Sequence, residues 1–289
     1  MMSNGIWVST EEVGGKPMSN NKNYLPVTSS TLNSPLMKLS SYFLAVRPWS
    51  LSASLMPTLL GSALAYRLTS TASFSWISLI LTVYTVFCVH GAGNVVNTYF
   101  DYIKGVDSRK SDDRILVDQL LSKDELVSLG ALLYTAGCLG FVLLTTISPA
   151  KMEHLALVYF GGLSSSFLYT GGIGFKYIAL GDVLILVIFG PISVLFAFMA
   201  QTGYIELGTI YYAIPLALNT EAILHSNNTR DLESDKKAVT TLPTAFKIEK
   251  QFRSPHMIQS VPKQTAKLNM FLGILYVIAC LLVDPLPYL

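Results

Sequence analysis

Asn94-Val-Val-Asn97-Thr-Tyr-Phe-Asp101-Tyr-Ile-Lys104-Gly105-Val-Asp107-Ser-Arg-Lys-Ser-Asp-Asp-Arg114 is the stretch on which the fold turns. It follows an apolar run, residues 74–96, long enough to cross a bilayer, so amides and acids crowd the end of a membrane helix. On a helix, Asn94, Asn97 and Asp101 stand at i, i+3 and i+7 and share one face. Gly105 lets the chain turn out of the helix, and Asp107 follows it. Carboxylates grouped in this way repel one another unless a cation sits among them. A hard, oxygen-seeking ion such as Mg2+, its shell completed by phosphate oxygens, meets that need.

A second stretch repeats the pattern. Asn227-Asn228-Thr229-Arg230-Asp231-Leu232-Glu233-Ser234-Asp235 closes another apolar run, with Asn227, Asp231 and Asp235 at i, i+4 and i+8. Either stretch alone reads as a hydrated helix end facing water. Two Asn-Asp-Asp stripes on separate membrane helices argue for one shared function.

The rest of the chain reads as membrane protein. It is 51% hydrophobic and 13% charged, about half the charge fraction of a soluble domain. Spanning segments are expected at about 47–66, 74–96, 126–147, 154–171, 178–201, 206–226 and 268–287. Pro57, Pro191 and Pro215 fall inside three of them and are expected to kink them. If the chain starts in the cytoplasm and alternates sides, only Arg67 and Lys151 of its 20 basic residues lie outside. That asymmetry fixes the orientation and puts both acidic stretches on the cytoplasmic face, where they can converge on one ligand.

The segment Ser164-Ser-Ser-Phe-Leu-Tyr169-Thr-Gly171-Gly172-Ile-Gly174-Phe-Lys176-Tyr177 falls on that face too. Its glycines allow close approach of backbone to a ligand, and Lys176 offers a cation to an anionic group. A Gly-rich link between helices is otherwise only a turn. Cys88, Cys138 and Cys280 each lie alone in apolar runs, as buried structural thiols do, and His90, His154, His225 and His256 share no ligand spacing. His225, beside the second stretch, reads as a packing or supporting residue. The net charge of +2 and the lack of a basic stripe exclude nucleic acid as a partner. Residues 1–40 contain no secretory core, carry Glu11 and Glu12 without arginine, and are rich in Ser, Asn, Pro and Gly; they are expected to form a disordered cytoplasmic tail ahead of a membrane domain at 41–289.

Asn97-x-x-x-Asp101 with Asp107, and Asn227-x-x-x-Asp231-x-x-x-Asp235, resemble the two aspartate-rich motifs of the UbiA superfamily of membrane prenyltransferases. Thr98 stands where the family usually has an Asp after its Asn, and the gap to Asp107 is longer than usual. Both departures are similar to the animal, menaquinone-forming branch. So are Arg47-Pro48-Trp49-Ser50, Lys110-Ser111-Asp112-Asp113-Arg114, Tyr169 to Lys176, and Glu221 to Asp235. The likeness runs from about residue 40 to 238 and resumes near Gln251-Phe252-Arg253-Ser254. It implies an all-α membrane fold, a ring of nine helices around a central cavity with the acidic motifs under a cytoplasmic cap. This chain has about seven such helices. Only about thirty largely polar residues lie between Ala238 and Lys267, where the family would place two more. Loss of an even number preserves the orientation of the last helix and is expected to open the ring on one side.

The resemblance further implies a Mg2+-dependent enzyme that moves an isoprenoid chain from an allylic diphosphate to an aromatic quinol. Asp101, Asp107, Asp231 and Asp235 are then the catalytic, metal-holding groups. Asn97, Arg114, Tyr169, Lys176, Asn227, Asn228 and Arg230 are then the substrate-binding groups. The branch implies geranylgeranyl diphosphate as donor, a menadione-type naphthoquinol as acceptor and menaquinone (vitamin K) as product. It implies endoplasmic reticulum and Golgi membranes, with the mitochondrion as a further location, and a protein partner from the sterol pathway. Two other readings stand beside this one. They are a ubiquinone-pathway 4-hydroxybenzoate prenyltransferase, against which the missing Asp after Asn97 argues, and a shortened, non-catalytic chain with a regulatory binding role in sterol metabolism. A transporter would carry its acids deep in the bilayer instead of at one face.

Overall fold

The computed structural model describes residues 35–69, 73–105, 114–178, 180–230 and 255–289, and every regular element among them is helical. A short helix, α1 (Pro35–Ala45), leads into α2 (Ser52–Leu68), α3 (Trp76–Ile103), α4 (Lys123–Ile147), α5 (Met152–Leu168), α6 (Gly181–Thr202), α7 (Thr209–Arg230) and α8 (Pro255–Leu282). Each of the seven expected spans has its helix. α3, α4, α6 and the Ser260–Leu282 part of α8 are long and apolar enough to cross a membrane. α2 and α5, of 17 residues each, reach only about 25 Å, a few ångströms short of a typical hydrocarbon core.

Three boundaries depart from expectation for local reasons. α1 begins at Pro35, inside the stretch read as tail; its exposed Leu36, Leu39 and Phe43 recur at helical spacing and make one side of it apolar. α8 starts well before residue 268, because the polar residues ahead of its apolar core continue the same helix. It ends at Leu282, short of 287, since Pro285 and Pro287 cannot prolong it. There Arg67, at the end of α2, donates to the Leu281 and Val283 carbonyls at 3.0 and 2.9 Å and pairs with Asp284 at 2.9 Å.

Of the three prolines expected to kink their helices, Pro191 alone interrupts its own, and a fourth, Pro262, lies inside α8. α6 loosens into a π turn at Ile188–Ile192 around Pro191, and the Ser193 hydroxyl donates to the Ile188 carbonyl at 2.7 Å. α2 and α7 run through Pro57 and Pro215 without a break.

The helices close a circuit. α4 packs on α3; α5 bridges α3 and α6; α7 lies between α6 and α8; and α8 returns to α2, which also touches α3, α6 and α7. Small residues set the closest approaches. A side chain at Gly61 of α2 would strike the Val194 carbonyl of α6, and one at Gly273 of α8 would strike Met56 of α2. Among the described residues, no gap separates α7 from α8. Asn219 of α7 donates to the fully buried Asn269 of α8 at 2.9 Å, and Tyr276 donates to the Tyr212 carbonyl at 3.2 Å. The expected opening is therefore closed by direct contact between these two helices.

Helix direction along the circuit is fixed by contacts at the far end of the bundle from Asp101. Ser75, capping α3, exchanges two hydrogen bonds with Gln201 near the end of α6, at 3.1 and 2.9 Å. The end of α3 and the start of α6 consequently share the opposite face, and the last turns of α7 meet the start of α6 there.

Candidate functional site

Asp101 sits in the last turn of α3 and is almost wholly buried. Lys176 Nζ lies 2.8 Å from its Oδ2, and the Tyr177 hydroxyl donates to Oδ1 at 2.7 Å. A second ammonium is close by: Lys104 Nζ lies 3.6 Å from the centre of the Tyr177 ring and 3.4 Å from the Thr170 carbonyl. Burial holds Lys104 below the ordinary lysine range; Asp101 opposes that shift and the Lys176 charge reinforces it. The carboxylate thus rests in a cationic, aromatic setting before any ligand arrives.

The chain delivers Lys176 and Tyr177 by a tight reversal after α5. Gly172 and Gly174 adopt φ values of +54° and +64°, which only glycine takes without cost. The Gly171 amide donates to the Phe167 carbonyl at 2.8 Å and the Lys176 amide to the Tyr169 carbonyl at 2.8 Å. A short 3-10 turn, Phe175–Ile178, then aims both side chains at α3. These glycines serve the turn itself. Tyr169, named from the sequence as a binding residue, holds Lys176 through its backbone.

One turn before Asp101, Asn97 is buried and its Oδ1 has no hydrogen-bond partner. An orphaned amide oxygen beside a buried carboxylate is costly unless a cation or water meets it, so these residues fit a hard metal ion. Asn94 serves the framework instead. It donates to the Val46 carbonyl at 2.8 Å and to Ser50 Oγ at 2.9 Å, tying α3 to the turn ahead of α2. In that turn Arg47, at φ 54°, reaches Thr98 Oγ1 at 3.3 Å.

Near the second stripe stand Glu221 and Asp182, to which the sequence reading gave no role in the site, and His225, which it read as a packing or supporting residue. Glu221 and His225 stand one turn apart on α7 with Oε1 and Nδ1 3.1 Å apart. Asp182, in the first turn of α6, faces them, and buried Asn228 hydrogen-bonds Asp182. Gly181, just before it, packs against the Tyr169 ring and the Lys176 backbone. The turn that holds Asp101 therefore runs straight into the residue that meets α7. The i, i+4 spacing of Glu221 and His225, extended to Asn228, was the available signal. Asp182 offered none, because its partners come from another helix. Tyr177 was passed over as one aromatic among many.

Of the other expected site residues, Asn227 is half-buried at the end of α7, and Arg114 pairs with Asp118 at 2.8 Å. Asp107, Asp231 and Asp235 lie outside the described residues, as does the side chain of Arg230. Between α3, α5 and α6 runs a mostly apolar cleft lined by Val86, Val89, Leu163, Ile188 and Phe196, with His90 against Phe189 at one side.

The family model described as the UbiA prenyltransferase family matches residues 54–287. The UbiA prenyltransferase domain-containing protein 1 homolog of Drosophila melanogaster is 59% identical over 305 aligned positions, covering 91% of this chain and 84% of the fly protein. That alignment is longer than the 289 residues of the chain, so the fly protein carries residues within the matched region that this chain lacks. The UbiA prenyltransferase domain-containing protein 1 of Homo sapiens is 48% identical, covering 85% of this chain and 84% of the human one. Among solved structures, digeranylgeranylglyceryl phosphate synthase superposes with a TM-score of 0.56 at 15% identity, covering 85% of this chain and 99% of that one. A UbiA homolog from Archaeoglobus fulgidus bound to DMAPP and Mg2+ gives 0.53 at 16% identity, covering 83% and 86%. These two share the fold.

Proposed function

This chain belongs to the UbiA prenyltransferase family and is an integral membrane prenyltransferase, and from that membership we propose that it transfers a geranylgeranyl group from its diphosphate to a menadione-type naphthoquinol, forming a menaquinone. The observation that carries this reading is the buried Asp101, ion-paired with Lys176 and hydrogen-bonded by Tyr177 at one end of the helix circuit. Asp101, Asp107, Asp231 and Asp235 would hold Mg2+, with Asn97 beside them, and the ion would supply the positive charge that lets a diphosphate depart. A relative of the same fold is bound to a prenyl diphosphate and Mg2+.

The chain's own residues account for the rest. Lys176 exchanges Asp101 for the diphosphate oxygens, and Arg114, Arg230, Asn227 and Asn228 complete the grip on that anion. Tyr177 keeps the Asp101 carboxylate oriented while its lysine partner moves. The isoprenoid tail lies against the apolar cleft between α3, α5 and α6, which excludes water from the reacting carbon. As the allylic C–O bond breaks, the carbon bonds to the electron-rich quinol ring, which then loses a proton; diphosphate is the leaving group. The lysine and arginine asymmetry supports a cytoplasmic site, and the resemblance of the branch supports endoplasmic reticulum and Golgi membranes, with the mitochondrion as a further location.

The test is incubation of membranes holding the chain with Mg2+, geranylgeranyl diphosphate and reduced menadione, with 4-hydroxybenzoate as the competing acceptor. Prenylated naphthoquinol is expected, and none of it with Asp231→Asn. The residues present in the fly protein and missing here favour one rival, a non-catalytic chain that binds a sterol-pathway protein. Correctly inserted, folded chain that yields no product with either acceptor would select that rival.

A further inference from the structure

Asp182, Glu221 and His225 each place one ligand atom within 4.8 Å of the other two. Asp182 comes from the first turn of α6; Glu221 and His225 come from one face of α7. None belongs to the aspartate stripes to which the proposed reaction assigns Mg2+. The cluster is more than a meeting of acids, because it includes an imidazole and because two of its oxygens are stranded. Glu221 Oε2 and Asp182 Oδ2 are shut off from solvent, and among the described residues no donor reaches either. Lys176, the ammonium carried by the adjoining turn, is committed to Asp101. Two carboxylates in this position repel each other, and the hydrogen bond from Asn228 to Asp182 leaves both of these oxygens unmet.

We propose that Asp182, Glu221 and His225 form a site for a divalent first-row transition ion, separate from the Mg2+ that accompanies the diphosphate. Two carboxylates and one imidazole make a mixed oxygen–nitrogen donor set. Mg2+ prefers oxygens and its own waters, whereas Mn2+ and Zn2+ accept such a mixture. Metal–ligand bonds of about 2.0–2.2 Å bring donor atoms to roughly 3–3.5 Å of one another. A small contraction of the present cluster achieves that, and Asn228 already hydrogen-bonds the Asp182 carboxylate. An ion here staples the start of α6 to α7. Since Gly181 packs on Tyr169 and Lys176, it also fixes the turn that presents Lys176 and Tyr177 to Asp101.

The full-length chain, purified in detergent and stripped with a chelator, is dialysed against Mn2+ in a large excess of Mg2+, with neither diphosphate nor quinol present. One Mn2+ per chain is expected to remain, and its electron spin-echo spectrum is expected to show the 14N coupling of a directly bound imidazole. His225→Gln should remove the nitrogen coupling and weaken Mn2+ binding at least tenfold, while Asp101→Asn leaves the nitrogen coupling in place. Complete displacement of Mn2+ by Mg2+, or bound Mn2+ without nitrogen coupling in the unmodified chain, overturns the proposal. Either result can be read without any variant folding. Because no substrate is present, failure here and failure of prenyl transfer are separate observations.

Discussion

At the scale of single residues, the site is a carboxylate held ready by its neighbours. Asp101→Asn keeps the shape but removes the charge that pairs with Lys176, so kcat/KM should fall at least a hundredfold in the menadione assay, with insertion and expression unchanged. Tyr177→Phe removes one hydrogen bond to an ionised group, worth about 1.5 kcal/mol, so about a tenfold loss in kcat/KM is expected. If Tyr177→Phe proved as inactive as Asp101→Asn, its role as a positioning residue would be wrong. Asp101 and Lys176 stood out in the sequence because the Asn-Asp-Asp stripe recurs on a second membrane helix and the glycine-rich link with its lysine falls on the same face. Tyr177 was not, because burial against Lys104 and Asp101 depends on a reversal that brings distant residues together. Asp182 was hidden for the same reason.

Helices tell a different story. Seven apolar runs announced seven helices, since length and hydropathy are local properties. What they could not announce was where the polar start of α8 joins its apolar core, or which proline would break its helix. Pro191 does so where Gly190 lies against Ala217 of α7, a circumstance set by packing. The approach of α2 to α6 is equally a product of packing. Gly61→Leu should force these helices apart, cost roughly 1–3 kcal/mol and lower the Tm of the purified protein by several degrees. An unchanged Tm would mean that the two helices are not in such close contact. Asn219→Leu leaves the buried Asn269 amide without its partner and should cost a similar amount.

For the whole molecule, the decisive matter is closure. A chain shorter than its relatives was expected to leave the circuit open, yet α7 and α8 pack side by side. With Cys88, Cys138 and Cys280 replaced by Ser, the pair Asn219→Cys and Asn269→Cys should form a disulfide in native membranes under mild oxidation, read as a shift in gel mobility after cleavage between α7 and α8. Absence of the crosslink would return the open ring. The lysines and arginines give the bundle an expected orientation, but its closure was not legible, because no single stretch of sequence records which helices become neighbours.

Arg67 gives that closure a direction. It grips the last carbonyls of α8 and Asp284, so the final helix is moored to the first long one at the face away from Asp101. The other end of α8 is tied as well: the Ser52 hydroxyl donates to the Ala266 carbonyl at 3.3 Å, and Lys263 Nζ lies 5.1 Å from the centre of the Trp49 ring. A rod lashed at both tips to α2 and the turn ahead of it moves with them as one piece.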